Sequence, residues 1–195
     1  MFLSVLFPSR IRNTVFRENV GNYAAVLLGI CFALPFRHAP AADMLTSLSA
    51  GIRNIFLYGE AYSFPFSLLF ACLPTLLLIF FAYTVFGRLC IPAVFFFYSF
   101  FRTFVSCAFI RTFGSSGCLY ALALYGLSDL ILFPGLCVTA CLSVQLSSSV
   151  ARSCRGGGRT DIRTRTPELL CGFAFPLISA VLSYVLIHLV SVFLR

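Results

Sequence analysis

The sequence contains no lysine and no tryptophan, and only six acidic residues and two histidines among its 195 residues. The absence of lysine excludes the glycine-rich phosphate-binding loop, because that motif needs a lysine beside the phosphates. The two histidines and the scattered acids form no cluster with the spacing of metal ligands. The sequence therefore predicts no metal and no cofactor.

Charge of either sign is also scarce. Charged residues make up 10% of the chain, whereas soluble domains carry about 25%. Hydrophobic residues make up 60%, with 24 phenylalanines, and the mean hydropathy is +0.98. A chain of this composition could not cover a surface that faces water. We therefore expect one integral membrane domain over residues 1–195, with the fold of an all-α polytopic helix bundle.

Apolar runs of the length that crosses a bilayer, about 20 residues each, predict five transmembrane helices. The predicted spans are 19–36, 64–86, 89–110, 117–146 and 169–193. The second and third spans open with Pro65 and Pro92, and the first turn of a helix tolerates proline. The fourth span is longer than a bilayer needs, which predicts that it is tilted, or bent at Pro134 and Gly135.

An amphipathic segment lies between the first two spans, over residues 43–59. Its apolar residues recur at helical spacing: Met44, Leu45, Leu48, Ile52, Ile55 and Phe56. Asp43 is suited to cap the start of a helix and Gly59 to end it. The pattern predicts an amphipathic helix lying in the membrane interface. A half-buried re-entrant segment is the alternative that the sequence leaves open.

The distribution of arginines predicts the orientation of the bundle, because cytoplasmic loops carry the excess of positive charge. With a cytoplasmic N-terminus, these arginines lie inside: Arg10, Arg12, Arg17, Arg88, Arg152, Arg155, Arg159, Arg163 and Arg165. These lie outside: Arg37, Arg53, Arg111 and Arg195. Arg102 falls within the third span. The bias predicts a multi-pass protein of the cell membrane with its N-terminus in the cytoplasm and its C-terminus outside.

The segment 147–168 is predicted to be a basic cytoplasmic loop. Its arginines could contact lipid headgroups or an acidic partner: Arg152, Arg155, Arg159, Arg163 and Arg165. The favoured alternative is a flexible linker whose arginines only set the topology, which is the ordinary use of such residues. Arginines scattered between apolar spans cannot form one basic face, so no nucleic-acid partner is expected.

Four short motifs follow one another from the end of the second span into the fourth. They are GRLCIP (87–92), FFRTFVSCAF (100–109), FGSSG (113–117) and LYGLSDLILFP (124–134). Their order resembles the stage II sporulation protein M family of endospore-forming bacteria. That family has a glycine and an Ile-Pro between two spans, then a basic residue amid aromatic and small residues. A glycine-containing turn follows, and then a polar residue five positions before a proline.

The resemblance implies a function as well as a fold. It implies a non-enzymatic membrane scaffold that supports septal peptidoglycan remodelling during engulfment by recruiting separately encoded cell-wall hydrolases. The expected partners are the lipid bilayer, other membrane or cell-wall-remodelling proteins, and further copies of the chain in a homo-oligomer. The alternative function is a transporter or permease subunit that works with a separate ATPase or with a second copy.

Arg102 and Asp129 are the two ionisable residues inside the predicted spans that are placed to pair. The turn between the third and fourth spans centres near Gly114 and Ser115, and the two residues lie at similar sequence distances from it. Both are therefore expected at one depth on adjacent antiparallel helices. The favoured interpretation is structural: an ion pair that fixes helix register, or an Arg102 side chain that extends to the membrane interface. The alternative is part of a translocation or proton path.

A catalytic alternative comes from the sequence GSSG at 114–117. It has the Gly-x-Ser-Gly form of rhomboid intramembrane proteases, and His188 on a later helix could reach Ser116. A tight turn between two helices uses the same residue types, however, and this interpretation is favoured. The sequence thus predicts no catalytic residue and no enzymatic activity.

Overall fold

A computed structural model describes residues 9–37, 47, 64–154 and 162–193. Every regular element in these ranges is helical, so the predicted all-α class is confirmed for the described chain. The α-helices are α1 (Ser9–Ala33), α2 (Phe64–Ala82), α3 (Gly87–Phe113), α4 (Ser115–Ala121), α5 (Leu127–Cys154), α6 (Ile162–Cys171) and α7 (Ala174–Phe193). A 3₁₀ turn, Leu34–Arg37, follows α1, and a π-helical segment, Leu122–Gly126, joins α4 to α5.

Three helical stretches of the described chain are long and apolar enough to cross a membrane. They are Gly87–Arg111, Leu127–Cys154 and Thr166–Leu186, in the regions of the third, fourth and fifth predicted spans. The first and second predicted spans contain shorter apolar helices, Asn19–Ala33 and Ser67–Ala82. The amphipathic helix predicted over 43–59 lies outside the described residues, apart from Ser47.

The predicted loop 147–168 needs correction, because most of it is helical. Helix α5 continues to Cys154 and α6 already begins at Ile162. The serines after the apolar run bond within the helix: Ser148 and Ser149 donate to the carbonyls four residues before them, at 2.8 and 3.0 Å. A hydroxyl that bonds back within the helix needs no solvent partner, so a polar sequence need not end the helix.

The fourth and fifth predicted spans each contain an interruption of regular α-helix. The fourth changes at the π-helical segment, and Pro134 stands inside α5, so the predicted tilt or bend of this span stays a prediction. Gly135, predicted as a bend, lies against α7, since a Cβ there would meet the ring of Phe175. The fifth span is divided by a turn at Gly172, which lies against Thr139 of α5 too closely for a side chain.

The helices surround α5, which contacts α1, α2, α3 and α7. The main core cluster brings together large residues of α2, α3 and α5, namely Leu78, Ile91, Phe95, Leu132 and Leu136, all nearly inaccessible. Many large apolar side chains point outward instead, among them Leu27, Phe80, Leu89, Phe101, Leu130 and Ile178. The described bundle is therefore apolar on its outside as well as in its core.

The hairpin between α3 and α4 turns at Gly114, where the sequence predicts it. Gly114 has φ of 61°, a left-handed conformation that glycine adopts readily. The amide of Gly117 donates to the carbonyl of Gly114 at 3.1 Å. A Cβ at Gly117 would meet the carbonyl oxygen of Phe109. The two glycines thus let α4 fold back directly against α3 and set the offset between Arg102 and the chain that follows the turn.

Candidate functional site

Arg102 lies close to the middle of α3. Along this helix, Arg88 and Arg111 are separated by about 34 Å at a rise of 1.5 Å per residue, and Arg102 is about 4 Å from their midpoint. This helix is long and apolar enough to cross a membrane, and a charge at this position in lipid would need a partner, because lipid cannot solvate it. The surroundings of its guanidinium group are therefore the candidate functional site.

Asp129 supplies the countercharge. Its Oδ1 lies 3.3 Å from Nη2 of Arg102, and the two side chains are 26% and 21% exposed. The hydroxyl of Tyr98 donates to the same Oδ1 at 2.7 Å. The carboxylate therefore faces a guanidinium and a phenol at once. This arrangement compensates the charge of the carboxylate and gives its Oδ1 two hydrogen-bonding partners.

Two tyrosine rings flank the guanidinium group. Its Cζ lies 4.5 Å from the ring centre of Tyr125 and 5.3 Å from that of Tyr98. Both distances are within the range of a cation–π contact, which is strongest where water is excluded. Arg102 is thus held by one carboxylate and by two aromatic faces.

Helical spacing explains why these four side chains converge. Tyr98 precedes Arg102 by four residues on α3, and Tyr125 precedes Asp129 by four residues where the π-helical segment meets α5. Residues four apart lie on the same helix face. The two charges were predicted from the sequence, but neither tyrosine was, although this spacing is visible in the sequence.

Helix α7 is tied to the chain beside Asp129. Ser179 of α7 donates to the carbonyl of Ser128 at 3.1 Å, and both residues are buried. The hydroxyl of Ser128 in turn donates to the carbonyl of Tyr125 at 3.2 Å. These bonds connect a third helix to the site, so its geometry depends on α3, α5 and α7 together.

A cavity of about 650 Å³ reaches the site from the side of α2 and α3. Arg102, Tyr98 and Tyr125 line it at one end, together with Ser67 of α2 and Ser183 of α7. The remainder of the wall is formed mainly by apolar residues of α2 and α3, such as Leu73, Pro74, Leu77, Phe81, Val94 and Phe97. The ion pair is therefore open to a space with one polar end and a long apolar body.

Of the other predicted contact residues, Arg152 is the one whose side chain the structure describes. Arg152 is exposed on the last turn of α5, where its side chain donates to Ser148 and Ser149 of the same helix at 3.4 Å. Arg155 and Arg159 lie outside the described residues. Arg163 and Arg165 belong to α6, of which the structure describes only the backbone at these two positions.

The residues of the serine–histidine alternative lie on separate helices. Ser116 is in α4 and His188 is in α7. The structure describes the backbone of both and the side chain of neither. No distance therefore bears on this alternative, and the prediction that neither residue is catalytic stays a prediction.

Comparison of the chain with protein-family models, with curated proteins and with solved structures gave no match. The resemblance to the stage II sporulation protein M family therefore rests on the motifs of this sequence alone, and the function is argued from the residues of the chain and the geometry of the bundle.

Proposed function

We propose that the chain is a five-span integral membrane protein that acts as a non-enzymatic scaffold. The observation that carries the proposal is the distribution of side chains in the bundle. Large apolar residues face outward on α1, α2, α3, α5 and α7, while the ion pair of Arg102 and Asp129 is held between helices. A lipid environment favours this arrangement, because only there is an apolar exterior stable without a partner.

The proposed topology includes the two shorter apolar helices as spans. Their apolar parts, Asn19–Ala33 and Ser67–Ala82, are about 22 and 24 Å long, which is shorter than the hydrocarbon core of a bilayer, and a membrane can thin locally to match such helices. Five crossings from a cytoplasmic N-terminus leave the C-terminus outside. The interfacial helix that the sequence predicts over 43–59 would then belong to the external connection between α1 and α2.

Cysteine labelling tests this topology. In a variant without native cysteines, we expect a single cysteine introduced as Gly51→Cys to react with an impermeant maleimide in intact cells. A Gly157→Cys variant is expected to react only after the membrane is permeabilised, because the arginine bias places 147–168 inside. Labelling of Gly157→Cys in intact cells would contradict the proposed orientation.

The scaffold role is supported by the resemblance and by the internal pairing of the charges. An ion pair that is compensated within the bundle fixes helix register and leaves the outer surface free to hold partners. The proposed partners are the lipid bilayer, membrane or cell-wall-remodelling proteins, and other copies of the chain. The recruited activity would then belong to a separate hydrolase.

In-cell cross-linking of a tagged chain in its native host tests this role. We expect adducts with a protein that carries a cell-wall hydrolase domain, or with the membrane partner of such a protein. A five-span membrane protein of unrelated sequence, expressed at the same level, serves as the control. Adducts formed only between copies of the chain would count against a recruiting scaffold.

A transporter or permease subunit is the second candidate, and the cavity beside Arg102 favours it. Intramembrane charges that line a cavity are a common feature of solute and proton paths. The same cross-linking experiment separates the two candidates, since recovery of an ATPase in place of a cell-wall protein would support transport.

A further inference from the structure

The cavity lined by α2 and α3, called the slot below, is bordered by side chains that are exposed on the outside of the bundle. Ala71 is buried at its floor, and Ala93 contributes a second small side chain. The rims are Phe70 and Leu73 on α2 and Phe97 and Phe101 on α3, which are all exposed on the outside of the bundle. In the proposed membrane setting, these rims face lipid. A molecule that enters the slot therefore comes from the bilayer.

The slot is polar at one end only. Ser67 and Arg102 lie at equal sequence distances from the α2–α3 turn, and Tyr125 and Ser183 line the same end. Cys90, near the other end, is 12 residues before Arg102, which corresponds to about 18 Å along the helix. The length, the volume of about 650 Å³ and the single polar end match an elongated amphiphile.

The charge balance at the polar end selects a neutral head. Asp129 already compensates Arg102, so an anionic head would add an unpaired charge near the middle of the span. Among the described contacts, Arg102 interacts with one carboxylate oxygen of Asp129 and with the hydroxyl of Tyr98, and a guanidinium has five N–H donors. A carbonyl or hydroxyl oxygen can accept from the remaining donors without bringing a charge.

We propose that this slot binds a neutral single-chain lipid. Its oxygen-bearing head lies at Arg102 and Tyr125, and its hydrocarbon chain extends between α2 and α3 toward Cys90. The proposal rests on the membrane setting argued above but not on the scaffold role, because a bound lipid can stabilise either a scaffold or a transporter.

Photolabelling in phospholipid vesicles tests the proposal. The full chain is reconstituted with a small fraction of a long-chain monoacylglycerol that carries a diazirine in its hydrocarbon chain, and adducts are mapped by mass spectrometry. We expect adducts on the slot residues of α2 and α3 in excess of those at Leu76 and Leu89, which face outward and do not line the slot. Equal labelling of slot and outer surface would overturn the proposal.

Two matched variants locate the site. Ala93→Phe fills the slot, and we expect it to reduce slot labelling by about tenfold, as overfilling a binding space does. Leu76→Phe places the same side chain on the outward face of α2 and should leave labelling unchanged. An equal loss, or no loss, in both variants would contradict the proposal.

Competition on the unaltered protein tests the choice of head, and it does not depend on the folding of a variant. Unlabelled monoacylglycerol should compete, whereas an alkane of the same chain length should not. Equal competition by the alkane would show that the slot is an apolar groove that does not recognise the head. Stronger competition by a long-chain phosphate would show that the polar end binds anions. Vesicle flotation is measured in parallel, so failure to insert into the membrane is distinguished from failure to bind the lipid.

Discussion

Replacing Arg102 or Asp129 alone by leucine should destabilise the bundle far more than replacing both. Either single variant leaves one charge, near the middle of a helix that is long and apolar enough to cross a membrane, without its partner 3.3 Å away. Removing one member of a buried ion pair costs about 3–5 kcal/mol, whereas replacing the whole pair by apolar residues can be close to neutral. The measurement is the thermal stability and yield of folded protein extracted from membranes.

Two controls separate loss of the pair from loss of a side chain. Arg111→Leu removes an exposed arginine at the end of the same helix and should change stability by less than about 0.5 kcal/mol. Tyr98→Phe keeps the ring beside Arg102 and removes the hydroxyl that donates to Asp129 at 2.7 Å. Its expected cost is about 1–2 kcal/mol, which lies between those of Arg111→Leu and the single charge variants.

The double variant also decides what the pair does. If the Leu–Leu chain is no more stable than the worse single variant, the two charges are not coupled. If it is stable but no longer cross-links to its partners, the charges serve function in addition to helix register. Recovery of both stability and cross-linking is the result expected of a structural pair.

The pairing of Arg102 with Asp129 was predictable because the apolar spans offer few other groups that could compensate either charge. Their distances from the turn at Gly114 differ, however: Arg102 is 12 residues before it and Asp129 is 15 after it. The structure takes up part of this difference in the π-helical segment, where an additional residue is accommodated within a helical turn. Neither composition nor hydrophobic periodicity indicates such a segment.

Other features were missed for different reasons. Tyr98 lies four residues before Arg102, and Tyr125 lies four residues before Asp129. Both were missed because the pairing was predicted from charged residues only, and tyrosine is neutral. The slot could not be predicted, because its size depends on the distance between α2 and α3 where small residues such as Ala71 line it. The helical continuation to Cys154 was missed because a run of serines is typical of a loop, and the sequence does not show that their hydroxyls bond to carbonyls of the same helix.

The second large effect is expected at Gly29, where α1 meets α3. Ala25, Gly29 and Ala33 recur every fourth residue and are all buried. Such a stripe of small residues allows two membrane helices to approach closely. A Cβ at Gly29 would meet Ser99 Oγ, lie 2.5 Å from the carbonyl oxygen of Phe96 and lie 3.1 Å from the amide nitrogen of Phe100.

Gly29→Val should therefore force α1 away from α3 and destabilise the bundle by about 2–3 kcal/mol, because two of the three obstructing atoms belong to the backbone and cannot rotate away. Gly21→Val is the matched control, since nothing lies within 4 Å of a Cβ at that position of the same helix. Its effect should stay within about 0.5 kcal/mol. Thermal unfolding of both variants in one detergent gives the comparison. Equal stability of the two would mean that α1 does not pack on α3 in the membrane, and the first of the five proposed spans would lose its structural support.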